Sequence, residues 1–162
     1  MGQQQILLIV LGVVVVGLAI AAGIWMFQYY AYTTNLQALL VELDYIKVDA
    51  YTYWATPYAL GGAGENPDNC DICSLAGITG FKEDYGAKTI QIDWVRKSEN
   101  GSYRLISFID GNLKIYALGK ASRAGKYPFV DYEHDFVSTK TKVDIAAEAN
   151  FPSSEFQKLT KN

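Results

Sequence analysis

No charged side chain occurs in this 162-residue chain before Glu42, and no basic one before Lys47. Within that stretch, Ile6 to Phe27 is 22 residues without a charge. At about 1.5 Å rise per residue such a helix is roughly 33 Å long, enough to cross the hydrocarbon core of a bilayer. A helix that is apolar all round cannot lie on a wet surface; it must be buried in lipid or among other helices. A secretory signal peptide is the first rival, since Ala19–Gly23 offers an A-x-A pattern. The basic n-region is missing, the apolar run is long for an h-region, and Ile24-Trp25-Met26-Phe27 continues past the site. Myristoylation of Gly2 fails because Ile6 stands where Ser or Thr is needed. The segment is therefore expected to be retained, with no Lys or Arg near either end to set its orientation.

The helical pattern does not stop at the membrane edge. Leu36, Leu39, Leu40, Leu43, Ile46, Ala50, Tyr53 and Trp54 follow i, i+3, i+4, i+7 steps, with Asn35, Gln37, Glu42, Asp44 and Asp49 mainly on the other side. This predicts one nearly unbroken helix from about Gln5 to Trp54, apolar first and amphipathic after, with Gly17 and Gly23 as points where it loosens. The amphipathic half requires a domain to lie against, and about 110 residues remain to build one.

Thr56 to Phe81 is rich in Gly and turn formers and reads as a long loop. It holds the only two cysteines, Cys70 and Cys73. Haem attachment is excluded because Ser74 follows in place of His, a zinc site lacks a second pair of ligands, and no βαβ setting supports a thioredoxin-type dithiol. A local disulfide pinning the loop is the expectation, which implies a compartment outside the cytoplasm.

A hairpin series follows. Residues 88–97 alternate as a strand, Asn100-Gly101 supplies a turn, 103–109 form the next strand, Asp110-Gly111-Asn112 another turn, and 113–118 the third. Asn100-Gly101-Ser102 also matches a glycosylation acceptor, but the turn already explains it. Val130, Tyr132, His134 and Phe136 alternate with Asp131, Glu133 and Asp135, so the three carboxylates share a strand face. A hard-cation site is one reading of them; a solvated face is favoured, because bare alternation is not a calcium-loop motif. His134 reads as a packed histidine rather than a catalyst. Thr141, Val143 and Ile145 give a further strand, and a short helix capped by Ser153 is expected near the end of the chain.

The net charge of −3 gives no polycationic footprint, so nucleic-acid binding is not expected. One histidine, no nucleophile elbow, no phosphate loop and no metal quartet leave little support for an enzyme, and no cofactor or metal is expected. The aromatics Trp25, Phe27, Tyr29, Tyr30 and Tyr32 invite an electron-conduction idea that ordinary helix packing explains equally well.

The stretch from Met1 to Phe27, with the half-helix continuing to Trp54, resembles the N-terminal helix of type IV pilins and their pseudopilin-like relatives. The likeness covers about a third of the chain; the head is similar only in kind. The fold class expected is α+β: an apolar helix over 1–28, an amphipathic helix over 29–55, a disulfide-pinned loop over 56–87 and an antiparallel sheet head over 88–162. The resemblance implies a structural, extracellular homopolymer, a fimbrium-like filament at the cell surface. Its subunits would sit in the inner membrane before an assembly and secretion machinery extracts them. The polymerisation core is then Ile6, Leu7, Leu8, Val10, Leu11, Val14, Val15, Leu18, Ile20, Ile24 and Phe27. The basic loop Lys120–Lys126 would face a neighbour's Glu65, Asp68 or Asp131. The alternative is a single-pass, membrane-anchored extracytoplasmic binding domain acting as a monomer.

Overall fold

The computed structural model describes residues 2–84 and 93–146. Helix α1 runs without interruption over Gly2–Ala55, 54 residues or about 81 Å at the standard rise, and does not loosen at Gly17 or Gly23. Two 3-10 turns, Tyr58–Leu60 and Pro67–Asn69, lead to a short helix α2 at Ile72–Thr79. Six strands follow: β1 Lys82–Asp84, β2 Asp93–Lys97, β3 Gly101–Ile109, β4 Asn112–Gly119, β5 Phe129–Asp135 and β6 Lys140–Ala146. They form one antiparallel sheet in sequential order. The α+β class is thus as the alternation and periodicity required. The part of the 88–97 strand before Asp93, and the C-terminal helix at Ser153, lie outside the described residues.

One sheet face packs on the second half of α1. Leu39, Leu43, Ile46, Ala50, Tyr53 and Trp54 are buried against Tyr103, Leu105, Phe108, Leu113, Ile115, Val130 and Tyr132. Two-residue alternation explains which strand residues point inward, and a bulge at Ile106, between Leu105 and Ser107, keeps Phe108 on the inner face. The β3–β4 turn has Asp110 at φ 53 and Gly111 at φ 75, both left-handed, as a two-residue turn of this twist requires. Gly111 also lies beneath the Trp54 ring, where a Cβ would approach Trp54 to 3.1 Å.

The stretch from Thr56 to Phe81 is not the long loop its composition suggests. Eight residues of it form α2, capped by Asp71, whose Oδ1 accepts from Cys73 N at 3.2 Å and whose Oδ2 accepts from Ser74 N at 3.1 Å and Ser74 Oγ at 2.6 Å. Leu75, Ala76 and Thr79 are buried. Tyr53 Oη donates to Asn69 O at 3.3 Å and accepts from Asp71 N at 3.2 Å, tying the end of α1 to the cap of α2.

The expected disulfide is absent: Cys70 and Cys73 are both free thiols. Cys70 packs half-buried on the core while Cys73 lies in the exposed first turn of α2, and the cap and the Tyr53 bonds secure the segment instead. Burial pushes the Cys70 thiol pKa up, so the thiolate is disfavoured.

Candidate assembly surface

The first half of α1 stands clear of the head apart from the Arg123 guanidinium over Trp25. The eleven expected polymerisation residues, Ile6, Leu7, Leu8, Val10, Leu11, Val14, Val15, Leu18, Ile20, Ile24 and Phe27, are all exposed, from 52% at Val14 to 74% at Phe27. They occur all round the helix rather than on one stripe, because 100° per residue spreads so dense a set over the full circumference. The helix is long and apolar enough to cross a membrane by length and composition. An isolated chain in water cannot tolerate an apolar surface of this extent.

Beside the apolar seam from Leu39 to Trp54, polar clamps tie this helix to the head, and they lie where periodicity alone placed solvent. Glu42 and Asn35 were assigned mainly to the outer side of α1; both face the head. Glu42, only 14% exposed at the side chain, accepts from Tyr103 Oη at 2.8 Å, Ser98 Oγ at 2.9 Å and Asn100 Nδ2 at 3.4 Å, and pairs with Arg96 at 3.7 Å. Arg96 in turn donates to Thr79 O at 2.9 Å, so the same cluster reaches the end of α2. Burial first, then the Glu42 carboxylate, raises the pKa of the Tyr103 hydroxyl far above its usual value. The Asn100 amide, the nitrogen that a glycan would occupy, is engaged by Glu42.

Asn35 forms the second clamp, about two turns nearer the apolar half. Its Oδ1 accepts from Lys120 N at 3.0 Å and Ala121 N at 3.1 Å, and its Nδ2 donates to Asn100 O at 2.8 Å. Gly119 makes this approach possible: a Cβ there would collide with Asn35 Oδ1 and with the Pro128 ring. Sequence spacing carried a usable signal for both residues. Asn35 precedes Leu39 by four and Glu42 follows it by three, which places them on the buried stripe.

From this second clamp the chain returns to α1. The Arg123 guanidinium lies 5.2 Å from the Trp25 ring centre and 5.0 Å from that of Tyr29. The loop carrying it closes through paired backbone bonds between Arg123 and Lys126.

The outer strand face does not gather its carboxylates. Asp131 pairs with Lys114 at 3.6 Å, Glu133 accepts from Asn112 Nδ2 at 2.9 Å, and Asp135 closes the next turn by accepting from Val137 N, Ser138 N and Ser138 Oγ. Among the described residues no group of three or more His, Cys, Asp and Glu side chains is placed to hold a metal ion. His134 is buried, edge-on to Phe136 at 4.6 Å and 2.7 Å from Thr141 Oγ1 through Nδ1. Desolvation, then the Lys47 charge, lowers its pKa.

No protein-family model, no curated protein and no solved structure gives a significant match to this chain.

Proposed function

We propose that the chain is the structural subunit of an extracellular helical filament resembling a type IV pilus, polymerising through its N-terminal helix. The observation that carries this reading is a fully exposed apolar half-helix held by Glu42 and Asn35 at a fixed angle to a polar head. Held in this way, every subunit presents its apolar rod in the same orientation, which is what a regular bundle of identical helices requires.

Burying the rod among copies is worth on the order of 25 cal/mol per Å² relative to water, but little relative to lipid. The subunit therefore waits in the membrane, polymerisation needs a machinery to extract it, and the finished filament resists dissolution. The absence of any charged side chain before Glu42 keeps ionised side chains out of the filament core.

Charge placement on the head favours an axial stack. The basic loop Lys120–Lys126 sits beside Asn35, whereas Glu65 bonds through its backbone N–H to Trp54 O. The two levels are about 29 Å apart along α1 at 1.5 Å per residue. A neighbour displaced by that distance brings its base onto the acidic top formed by Glu65 and Asp68. Exposed pairs of this kind contribute only about 0–1 kcal/mol each, so they set register rather than supply affinity.

The anchored-monomer alternative would use the open groove beside α1, lined by Gln37, Val41, Glu42, Tyr45, Arg96 and Asn100, as its binding surface. Detergent removal separates the two readings. The full chain is expected to sediment as long polymers, and Val14→Asp to remain monomeric or precipitate amorphously. Wild-type chain that stays a monodisperse, detergent-bound monomer under all conditions would favour the anchored domain.

A further inference from the structure

Three cations and no carboxylate occupy the loop from Lys120 to Pro128. This loop is not free to sample the head surface. Asn35 Oδ1 holds its start, Arg123 and Lys126 exchange both backbone bonds, and Arg123 is stacked on Trp25 and Tyr29. Its cations are thereby fixed at the level of α1 where the apolar run ends. Ile6 to Trp25 is 20 residues, the length that spans a hydrocarbon core of about 30 Å. Trp25, Phe27, Tyr29 and Tyr30 then stand at the boundary as a collar of exposed rings.

We infer that this loop is a membrane-docking surface which takes the anionic headgroups of the leaflet adjoining the head. The inference rests on the membrane-inserted state proposed above and adds what the head itself does there. Arg123 lays its guanidinium over two interfacial rings and remains half-exposed, and a planar guanidinium can stack on a ring and still pair with phosphate oxygens through its edge, as an ammonium cannot. Lys126, exposed on the adjoining turn, supplies a second charge. Lys120 is partly committed, since its Nζ donates to Ser98 O at 2.6 Å, so it contributes more to the field than to direct contact. The head is consequently held down on the bilayer until extraction, when the loop exchanges lipid phosphate for the carboxylates of a neighbouring subunit.

The test uses the full-length chain in micelles doped with equal amounts of phosphatidylglycerol and phosphatidylcholine, with retained lipid counted by native mass spectrometry. A cation near an anionic surface favours binding by roughly fivefold. The wild type is expected to retain phosphatidylglycerol preferentially, with Lys126→Gln, an exposed site unable to disturb folding, weakening the preference about fivefold. Combining it with Arg123→Gln abolishes the preference, while Lys142→Gln, on the far strand β6, leaves it unchanged. Equal retention of the two lipids by the wild type, or an unchanged preference in the double variant, overturns the inference. Chain that needs no detergent and stays monomeric in water would instead overturn the membrane-inserted state on which it rests.

Discussion

Replacing Glu42 by Ala removes the shared acceptor of Tyr103, Ser98 and Asn100 and leaves Arg96 without its partner across the helix–head seam. Hydrogen bonds to a charged group are worth about 1.5–3 kcal/mol, so the Ala variant should lose about 2–3 kcal/mol of stability and Glu42→Gln distinctly less. Denaturant unfolding of the full chain in detergent, followed by near-ultraviolet circular dichroism, measures the difference. His134 makes a second residue-scale prediction. Its pKa is lowered in the fold, so the unfolded chain takes up a proton first as pH falls. Stability should therefore decline as pH drops below about 6.5, the ordinary value, and level off below the lowered one. As the chain has a single histidine, His134→Gln should flatten the unfolding midpoint over this window. Acid-range losses belong instead to Asp71 and Asp135, whose pKa values are held down chiefly by Ser74 and Ser138, and whose contributions disappear as pH falls through those lowered values.

At the scale of elements, the signals strong enough to read were long or redundant. The apolar run of α1 and the amphipathic 3.6-residue period that follows it together cover 54 residues without a break, and Asp110-Gly111 lies between two alternating runs that turn chemistry alone would pair. Helix α2 was hidden because eight residues give little over two turns, Gly77 interrupts them, and the cysteine pair suggested a staple. Yet Asp71 ahead of Ser74, and Gly80 after Thr79, are ordinary start and stop residues for a helix. Glu42 and Asn35 were misplaced for a different reason: their spacing to Leu39 fits the buried stripe, but a polar residue belongs there only because of donors more than 50 residues away, Ser98 in the β2–β3 turn and Lys120 just after β4. If the cap secures α2, Asp71→Ala should cost about 1 kcal/mol, while Cys73→Ser should stay within about 0.5 kcal/mol as a surface change. Alkylation of unreduced native chain should label Cys73 quickly and Cys70 slowly; a mass deficit of two hydrogens, with neither labelled, would restore the disulfide.

For the whole molecule, the apolar rod and the polar head pose incompatible solvent demands that only lipid or a bundle of copies can meet. The head was legible as an antiparallel sheet, but the assembly was not, because a sequence states which surface must be covered and not what covers it. Electron microscopy of material sheared from cells decides that point. Wild-type chain should appear as filaments of constant diameter, and Val15→Asp, which places a charge in the middle of the rod, should abolish them while leaving the chain in the membrane fraction. Filaments of undiminished number and length from the Val15→Asp chain would contradict assembly through residues 6–28.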